Sequence, residues 1–277
     1  MSGQLKGLRR FVAARVGRPW TASRSRRIVV ASGKGGVGAS TVTFLLGIAA
    51  SRAGYNTLLM DTDELSGSLH RMAGLEATHS LDAVANGAVP LAEAVLPIAP
   101  QLSLISGGSA VRDNPGSMPH VDHRAFVARC EPLYAEYDCV IVDAGATIAR
   151  VLAATSRPTQ QVLLVAGHDP IALAASFAMA KVVDGQSRGI PLRAVFNRVG
   201  PQPAAHAFSR LAAATQRFLS RPIGLAGCIP DCAGVTSAES PAAFAQCAAM
   251  DAVEPMMRSI LMSLQVEAAL MPAAANA

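Results

Sequence analysis

The sequence predicts an α/β fold with a mostly parallel sheet and helices on both of its faces. Short, mostly apolar runs recur along the chain and alternate with longer segments. The runs cover residues 28–31, 57–60, 102–105, 139–142, 161–165 and 192–196. Continuous apolar runs of this length are typical of strands that are buried on both faces, as in parallel sheets. Several runs end in Asp or Asn, and ligands of such sheets bind at the carboxyl edge of the strands.

Helices are predicted between and after these strands. The helical segments cover residues 40–53, 124–134, 172–183 and 251–270. Residues 80–94 are predicted to be helical or irregular, residues 106–122 form a polar loop, and a further short strand precedes Ile229. The alternation of strands and helices predicts βα units, which build parallel sheets.

The composition is that of a globular protein. The chain has 277 residues, of which 51% are hydrophobic and 16% charged, so global disorder is excluded. No apolar run reaches the roughly 18 residues that a membrane-spanning helix needs. An odd number of cysteines without a secretory signal favours a reducing compartment such as the cytoplasm. The acid-free start also resembles an organellar transit peptide.

The positive charge is concentrated at the N-terminus. Eight of the 24 Lys and Arg residues lie in the first 27 residues, which hold no acidic residue, so the remainder carries 16 basic and 19 acidic residues. Such an arm can meet nucleic acid, anionic lipid or an acidic protein, or be a solvated tail. Apolar residues at helical spacing within residues 3–16 predict a short amphipathic helix. We therefore expect an arm over residues 1–27, one domain over 28–270 and a disordered tail over 271–277.

A glycine-rich loop joins the first predicted strand to the first predicted helix. Its residues are Gly33, Lys34, Gly35, Gly36, Val37, Gly38, Ala39, Ser40 and Thr41. Glycines allow consecutive backbone N–H groups to turn toward phosphate oxygens, and the helix N-terminus adds about half a positive charge. Ser40 stands where a phosphate-binding loop places the hydroxyl that holds Mg²⁺. The preceding strand and following helix favour a phosphate site over a plain glycine-rich turn.

This loop resembles the deviant Walker A motif of MinD/ParA-type ATPases. The resemblance implies a SIMIBI-type P-loop NTPase fold, ATP or ADP with Mg²⁺ as ligands, and a homodimer that closes with ATP. Lys34 matches the signature lysine, which reaches the partner's phosphates across the dimer, and Ser40 matches the Mg²⁺ ligand. The second lysine of the motif falls on Ala39. Because an ammonium group there stabilises bound nucleotide and transition state, we expect weaker ATP binding and slower hydrolysis, which Lys34 could offset in part.

Further segments match landmarks of the same family. Asp61 and Asp63 resemble its switch I, where Asp61 would lie near the Mg²⁺ shell and Asp63 would orient the attacking water. Asp143 and Gly145 resemble its switch II, where Asp143 would hold a Mg²⁺-bound water and Gly145 would turn its N–H toward the γ-phosphate. The residues that match the adenine pocket are Asn197, Pro230 and Asp231. The alternative for each is an ordinary polar residue after a strand.

Within this family the chain is most similar to the FlhG/FleN group of MinD-like flagellar number regulators. The segments that carry this resemblance cover residues 4–9, 168–173, 178–182 and 196–199. In that group the N-terminal helix stimulates a flagellar signal-recognition-type GTPase, FlhF. The resemblance therefore assigns partner binding to Gln4, Leu8 and Arg9. A helix that packs on its own domain is the alternative.

The group also carries a C-terminal amphipathic helix that binds membranes. An apolar stripe stands at the matching place; its residues are Met256, Met257, Ile260, Leu261 and Leu264. Arg258 is the only basic residue of the stretch, whereas a membrane-surface helix needs several cations. We therefore interpret the stripe as core packing, with a peripheral location at the inner face of the cell membrane as the alternative.

Three functions are compatible with these patterns. The first is a MinD-like nucleotide switch that regulates flagellar assembly or cellular positioning. The second is a pseudo-ATPase, an interaction protein that keeps the fold without turnover, which Ala39 favours. The third is a ParA-type DNA-partitioning or cellulose-synthesis-associated relative. Its basic arm could touch DNA, although we expect no DNA partner.

Overall fold

The computed structural model describes residues 25–65, 67–76, 78–108, 121–156, 159–186 and 189–270. The predicted arm helix with Gln4, Leu8 and Arg9, most of the polar loop at 106–122 and the tail from residue 271 lie outside these ranges. What the sequence predicts for them stays a prediction.

Eight strands of the described chain form one sheet. They are β1 (Arg26–Ser32), β2 (Thr57–Asp61), β3 (Val95–Ala99), β4 (Leu102–Ile105), β5 (Cys139–Gly145), β6 (Gln161–Ala166), β7 (Leu192–Asn197) and β8 (Gly224–Ile229). Their spatial order is β3-β4-β2-β5-β1-β6-β7-β8, and every neighbouring pair is parallel except β3 with β4. The predicted mostly parallel sheet is therefore confirmed.

Helices cover both faces of the sheet. They are α1 (Ala39–Arg52), α2 (Leu69–Met72), α3 (Leu81–Ala85), α4 (Leu91–Ala94), α5 (His123–Tyr134), α6 (Ile148–Thr155), α7 (Pro170–Gln186), α8 (Pro201–Leu219), α9 (Ala233–Thr236), α10 (Pro241–Ala245) and α11 (Met250–Leu270). Helices α1, α10 and α11 contribute to the apolar cluster on one face, and α5, α6, α7 and α8 to the cluster on the other.

The central strands are buried along their length because both faces are covered. In β1, Val29 and Ala31 belong to one apolar cluster and Ile28 and Val30 to the other. This alternation explains why the run is apolar without interruption. The strand order places β5 between β1 and β2. The residues that follow these three strands therefore meet at one edge of the sheet.

Several elements were not predicted from the sequence, among them strand β3 and the helices α6 and α8. Strand β3 is a half-exposed antiparallel edge strand that contains Pro97, which is where a sheet tolerates proline. Helix α8 follows Gly200 and has Pro201 in its first turn. The buried residues of this helix are Ala204, Ala207, Leu211 and Thr215, and all but Leu211 are small. A stripe with one large apolar residue gives a weak periodic signal.

Strand β1 begins at Arg26, so the last two residues of the predicted arm lie in the sheet. Both of their side chains contact aromatic rings. The Arg26 guanidinium lies 5.1 Å from the ring centre of Tyr55, and that of Arg27 lies 5.2 Å from the ring centre of Tyr134. These arginines therefore belong to the fold rather than to a solvated tail.

The apolar stripe of α11 lies in the core, as the sequence indicates. Met256, Met257, Ile260, Leu261 and Leu264 are all buried, and they belong to the same cluster as α1. In the described residues no helix combines the length and apolar character that crossing a membrane requires.

Candidate functional site

The glycine-rich loop leaves the end of β1 and enters α1 along a path that requires glycine at several positions. Gly36 has a φ of 81° and Gly38 a φ of 87°, in the left-handed region that residues with a Cβ rarely adopt. Gly33 lies against α7, where a Cβ would be only 2.0 Å from the carbonyl oxygen of Ala175. Gly35 is different, because a Cβ there would meet nothing within 4 Å.

The N-terminus of α1 faces the loop without a side-chain cap. Gly38 is the N-cap residue, and the first helical hydrogen bond runs from the Val42 N–H to the Gly38 carbonyl at 2.9 Å. The amides of Ala39, Ser40 and Thr41 therefore have no acceptor within the helix. Such free amides, together with the helix dipole, form a place for an anionic phosphate.

Asn197 supports the loop from the end of β7. Its Nδ2 donates a hydrogen bond to the carbonyl oxygen of Val37 at 2.9 Å. A Cβ on Gly38 would lie 2.3 Å from the same nitrogen, so the asparagine fits only a glycine at that position. This contact was not anticipated from the sequence, which assigned Asn197 to the base.

The loop predicted to close the base pocket begins beside Asn197. Ile229, the last residue of β8, is the register partner of Asn197 on β7. Pro230 and Asp231 follow directly and are exposed. The structure therefore brings these two residues to the neighbourhood of Asn197, at the edge of the sheet that carries the phosphate loop.

Ala39 itself brings no charge to the loop. Its side chain is buried and belongs to the apolar cluster beneath α1. Lys34, in contrast, is exposed at the mouth of the loop. The pKa of Asp169, next to the start of α7, is lowered by the hydrogen bond from the Ala172 N–H and also by the nearby charge of Lys34.

Asp61 is buried at the end of β2 and held by backbone amides. Its Oδ1 accepts a hydrogen bond from the Asp63 N–H at 2.9 Å, and its Oδ2 accepts from Ser68 at 2.9 Å and Leu69 at 3.1 Å. Burial raises its pKa to about 6 although these bonds oppose the shift. Gly107, at the end of β4, makes room for the carboxyl, because a Cβ there would lie 2.5 Å from its Oδ1.

Asp143 on β5 is the register partner of Asp61 on β2. Its Oδ1 accepts a hydrogen bond from the Gly145 N–H at 3.1 Å. Burial raises its pKa to about 7; the charge of Asp61 adds to the shift, and a hydrogen bond with Ser40 opposes it. Two neighbouring buried carboxylates disfavour each other's charged form. A divalent cation between them would remove this conflict.

The donor set fits the Mg²⁺ of a nucleotide complex. Ser40, Asp61 and Asp143 supply a hydroxyl and carboxylate oxygens, the ligands that Mg²⁺ prefers. Within the described ranges, no three His, Cys, Asp or Glu side chains gather as a metal-binding group. Mg²⁺ is ordinarily held by one or two carboxylates together with phosphate oxygens and waters. These residues therefore suit an ion that arrives with a nucleotide.

A buried arginine that sequence reasoning missed connects the switch I loop to α6. Arg150 Nη2 lies 3.0 Å from both Asp63 Oδ1 and Glu64 Oε2, and its Nε donates to Glu64 Oε2 at 3.0 Å. Glu64 Oε2 also lies 3.6 Å from His123 Nε2. The carboxylate of Asp63 accepts a second hydrogen bond from the Leu65 N–H at 3.0 Å. Asp63 therefore lies at the candidate site, and its carboxylate is bound to Arg150.

The chain is similar to known nucleotide-binding proteins in sequence and in structure. The family model described as "ParA: NUBPL iron-transfer P-loop NTPase" matches residues 23–175. The antiactivator FleN of Pseudomonas aeruginosa is 26% identical over 207 residues, which cover 73% of this chain and 72% of FleN. The flagellum site-determining protein YlxH of Helicobacter pylori is 28% identical over 157 residues, which cover 56% of this chain and 52% of YlxH. The chain thus spans about half the length of YlxH.

Solved structures of MinD share the fold. MinD of Aquifex aeolicus superimposes with a TM-score of 0.68 at 20% identity, covering 86% of this chain and 98% of that protein. MinD of Pyrococcus horikoshii in complex with Mg-ADP gives a TM-score of 0.64 at 20% identity, covering 85% and 96%. The family model spans more than half of the chain. The chain therefore belongs to the ParA/MinD family of P-loop NTPases.

Proposed function

We propose that this protein is an ATP-binding regulator of flagellar assembly or cellular positioning that acts as a nucleotide-dependent dimer switch with weakened hydrolysis. The observation that carries the proposal is the meeting of three features at one sheet edge. They are the glycine-rich phosphate loop, the uncapped N-terminus of α1 and the buried pair Asp61 and Asp143. Each of these features suits a nucleotide phosphate or its Mg²⁺ ion.

The proposed roles follow from these positions. Ser40, Asp61 and Asp143 hold Mg²⁺, and the loop from Gly33 to Thr41 with Gly145 holds the phosphates. Lys34 reaches the phosphates of a second copy, which its exposure permits. Asp63 orients the attacking water after release from Arg150. The residues proposed for the base are Asn197, Pro230 and Asp231.

The replacement of the loop lysine by Ala39 is expected to slow the reaction. A lysine at this position neutralises charge that develops on the transferred phosphoryl group. The Ala39 side chain ends in an apolar cluster and offers no such charge. We therefore propose a switch that is set mainly by binding and release of ATP, with slow turnover.

Exposed apolar side chains around the site support a dimer closed over nucleotide. Leu65, Ile148 and Ile171 are 45%, 52% and 71% exposed, and they follow β2, β5 and β6, respectively. All three therefore lie at the carboxyl edge of the sheet, around the phosphate loop. Apolar side chains exposed at one edge of the sheet can be buried against a second copy of the chain.

A flagellar role is supported by the relatives FleN and YlxH. We propose that the arm residues Gln4, Leu8 and Arg9 bind a signal-recognition-type GTPase, as in the FlhG/FleN group. The protein would then act in the cytoplasm, with any membrane contact peripheral.

Two measurements on the same samples test the proposal. The molar mass measured by light scattering is expected to be that of a dimer with Mg-ATP and that of a monomer with ADP. Turnover is expected to be slow in the wild type, faster in Ala39→Lys and absent in Asp63→Ala. Lys34→Ala is expected to bind ATP but to lose the dimer. A monomer at saturating Mg-ATP would contradict the switch.

A pseudo-ATPase that serves as an interaction protein is the second candidate, and Ala39 is the observation that favours it. Such a protein would dimerise or bind its partner equally well with and without nucleotide. Ala39→Lys would then leave turnover at zero, because other parts of the machinery would also have been lost.

A further inference from the structure

The charge that Ala39 omits need not be absent from the site. The ParA/MinD motif places one lysine inside the loop, and here that position is an alanine in an apolar cluster. Lys34 is exposed at the mouth of the loop. A second cation close to the terminal phosphate would have to come from another element. The following inference rests on the proposed ATP-binding function.

Arg150 is the one Lys or Arg of the described chain that is buried, at 7% exposure. It lies in the first turn of α6, which starts three residues after β5 ends at Gly145. Burial of a guanidinium is costly unless it is paired. Its position must therefore be held by specific partners, and a structural or a ligand-binding role would explain its presence.

The known partners of Arg150 use only part of its guanidinium. Nε and Nη2 are bonded to Glu64 and Asp63, as described above. Within the described ranges, Nη1 has no hydrogen-bond acceptor. Nη1 is also the nearest atom to the place of a Cβ on Gly145, at 3.9 Å. The unused N–H groups of Arg150 therefore lie beside the Gly145 backbone.

This position lies at the edge of the sheet that carries the phosphate loop. Gly145 lies two residues after Asp143, to whose Oδ1 its N–H donates, and it flanks the same sheet edge as the α1 N-terminus. The carboxylates of Asp63 and Glu64 hold the guanidinium of Arg150 from one side. The opposite edge of the guanidinium is therefore left for an anion. Arginine presents its donors in a rigid fork that suits phosphate oxygens.

We propose that Arg150 binds the terminal phosphate of a nucleoside triphosphate through Nη1 and supplies, from the same chain, the charge that Ala39 omits. Glu64, which contacts both Nε and Nη2, acts as the positioning residue for it. Because a diphosphate lacks the terminal phosphate, Arg150 makes the site prefer ATP over ADP. The loop and the α1 amides, in contrast, bind both nucleotides alike.

The test compares the affinities for Mg-ATP and Mg-ADP by calorimetry in wild type, Arg150→Ala and Arg150→Gln. Both variants are expected to lose about tenfold or more in ATP affinity, as for a lost charged hydrogen bond, with ADP affinity unchanged. Arg150→Gln keeps a hydrogen-bonding side chain between the carboxylates and so guards against misfolding. Arg221→Ala is the matched control, because Arg221 is also little exposed and pairs with Asp184 at 3.0 Å.

Restoring the lysine provides an independent check. In the Ala39→Lys background, Arg150→Ala is expected to cost less ATP affinity than in the wild type, because two cations then share one role. Equal losses for ATP and ADP, or a loss that is undiminished in the Ala39→Lys background, would make Arg150 a structural residue and overturn the assignment. Binding of neither nucleotide by the wild type would overturn the proposed function itself, and the assignment with it.

Discussion

Replacing Gly33 by alanine should damage the site through the fold. The added Cβ would lie 2.0 Å from the Ala175 carbonyl oxygen and 2.1 Å from its carbon. These are backbone atoms of α7, so no side-chain rotation can relieve the contact. Either the phosphate loop or the helix has to move.

The size of the effect follows from the nature of the clash. Forcing one methyl group into a packed site costs about 1–3 kcal/mol, and more when backbone must shift. For a domain of this size, each 1 kcal/mol lowers the melting temperature by about 2–4 °C. We therefore expect Gly33→Ala to melt about 4–10 °C below the wild type and to bind Mg-ATP much more weakly.

Gly35→Ala is the control within the same loop. A Cβ on Gly35 would meet nothing within 4 Å, so its melting temperature should stay close to that of the wild type. Thermal unfolding followed by circular dichroism compares the two variants directly. If both melted together, the close approach of the loop to α7 would not be a real constraint.

Three other predictions follow from the site and the core. Asp61 and Asp143 have pKa values raised from 3.8 to about 6 and about 7. Without metal, the folded state therefore binds more protons than the unfolded chain between about pH 4 and pH 7. The contribution of these two groups to stability falls as the pH rises through that window. Asp143→Asn should therefore flatten the melting temperature across this range, and curves parallel to the wild type would argue against the pairing. Asn197→Asp should lower nucleotide affinity about tenfold or more in a binding titration, because a carboxylate cannot donate to the Val37 carbonyl; unchanged affinity would show that the loop does not depend on this bond. Burial raises the pKa of Cys130 and of Cys139 to about 12, so iodoacetamide should modify these thiols only after denaturant is added, and mass spectrometry of the native protein would reveal any exception.

The parts of the fold that the sequence predicted are those with a strong local signal. Strands such as Thr57–Asp61 and Leu102–Ile105 are buried along their whole length and mostly apolar, so their positions could be predicted from the sequence. Strand β3 lacked that signal because it is half-exposed and contains Pro97. Helix α8 lacked it because Leu211 is the one large apolar residue among its four buried residues.

The residues of the candidate site also differ in how strongly the local sequence indicates them. Gly36, Gly38 and Asp143 belong to contiguous motifs whose spacing carries the chemistry. Arg150 could not be found in this manner, because its partners Glu64 and Asp63 lie 86 and 87 residues away in sequence. Only the adjacency of β2 and β5 in the sheet brings them together. The contact of Asn197 with Val37, 160 residues apart, was hidden for the same reason.

Calorimetric titration of ATP, with and without Mg²⁺, tests most directly whether this sheet edge is a nucleotide site. For the wild type we predict saturable heat that strengthens with Mg²⁺, and for Asp143→Ala a response that no longer depends on the metal. An absence of heat from the wild type with millimolar ATP or ADP in the presence of Mg²⁺ would contradict the assignment of the site.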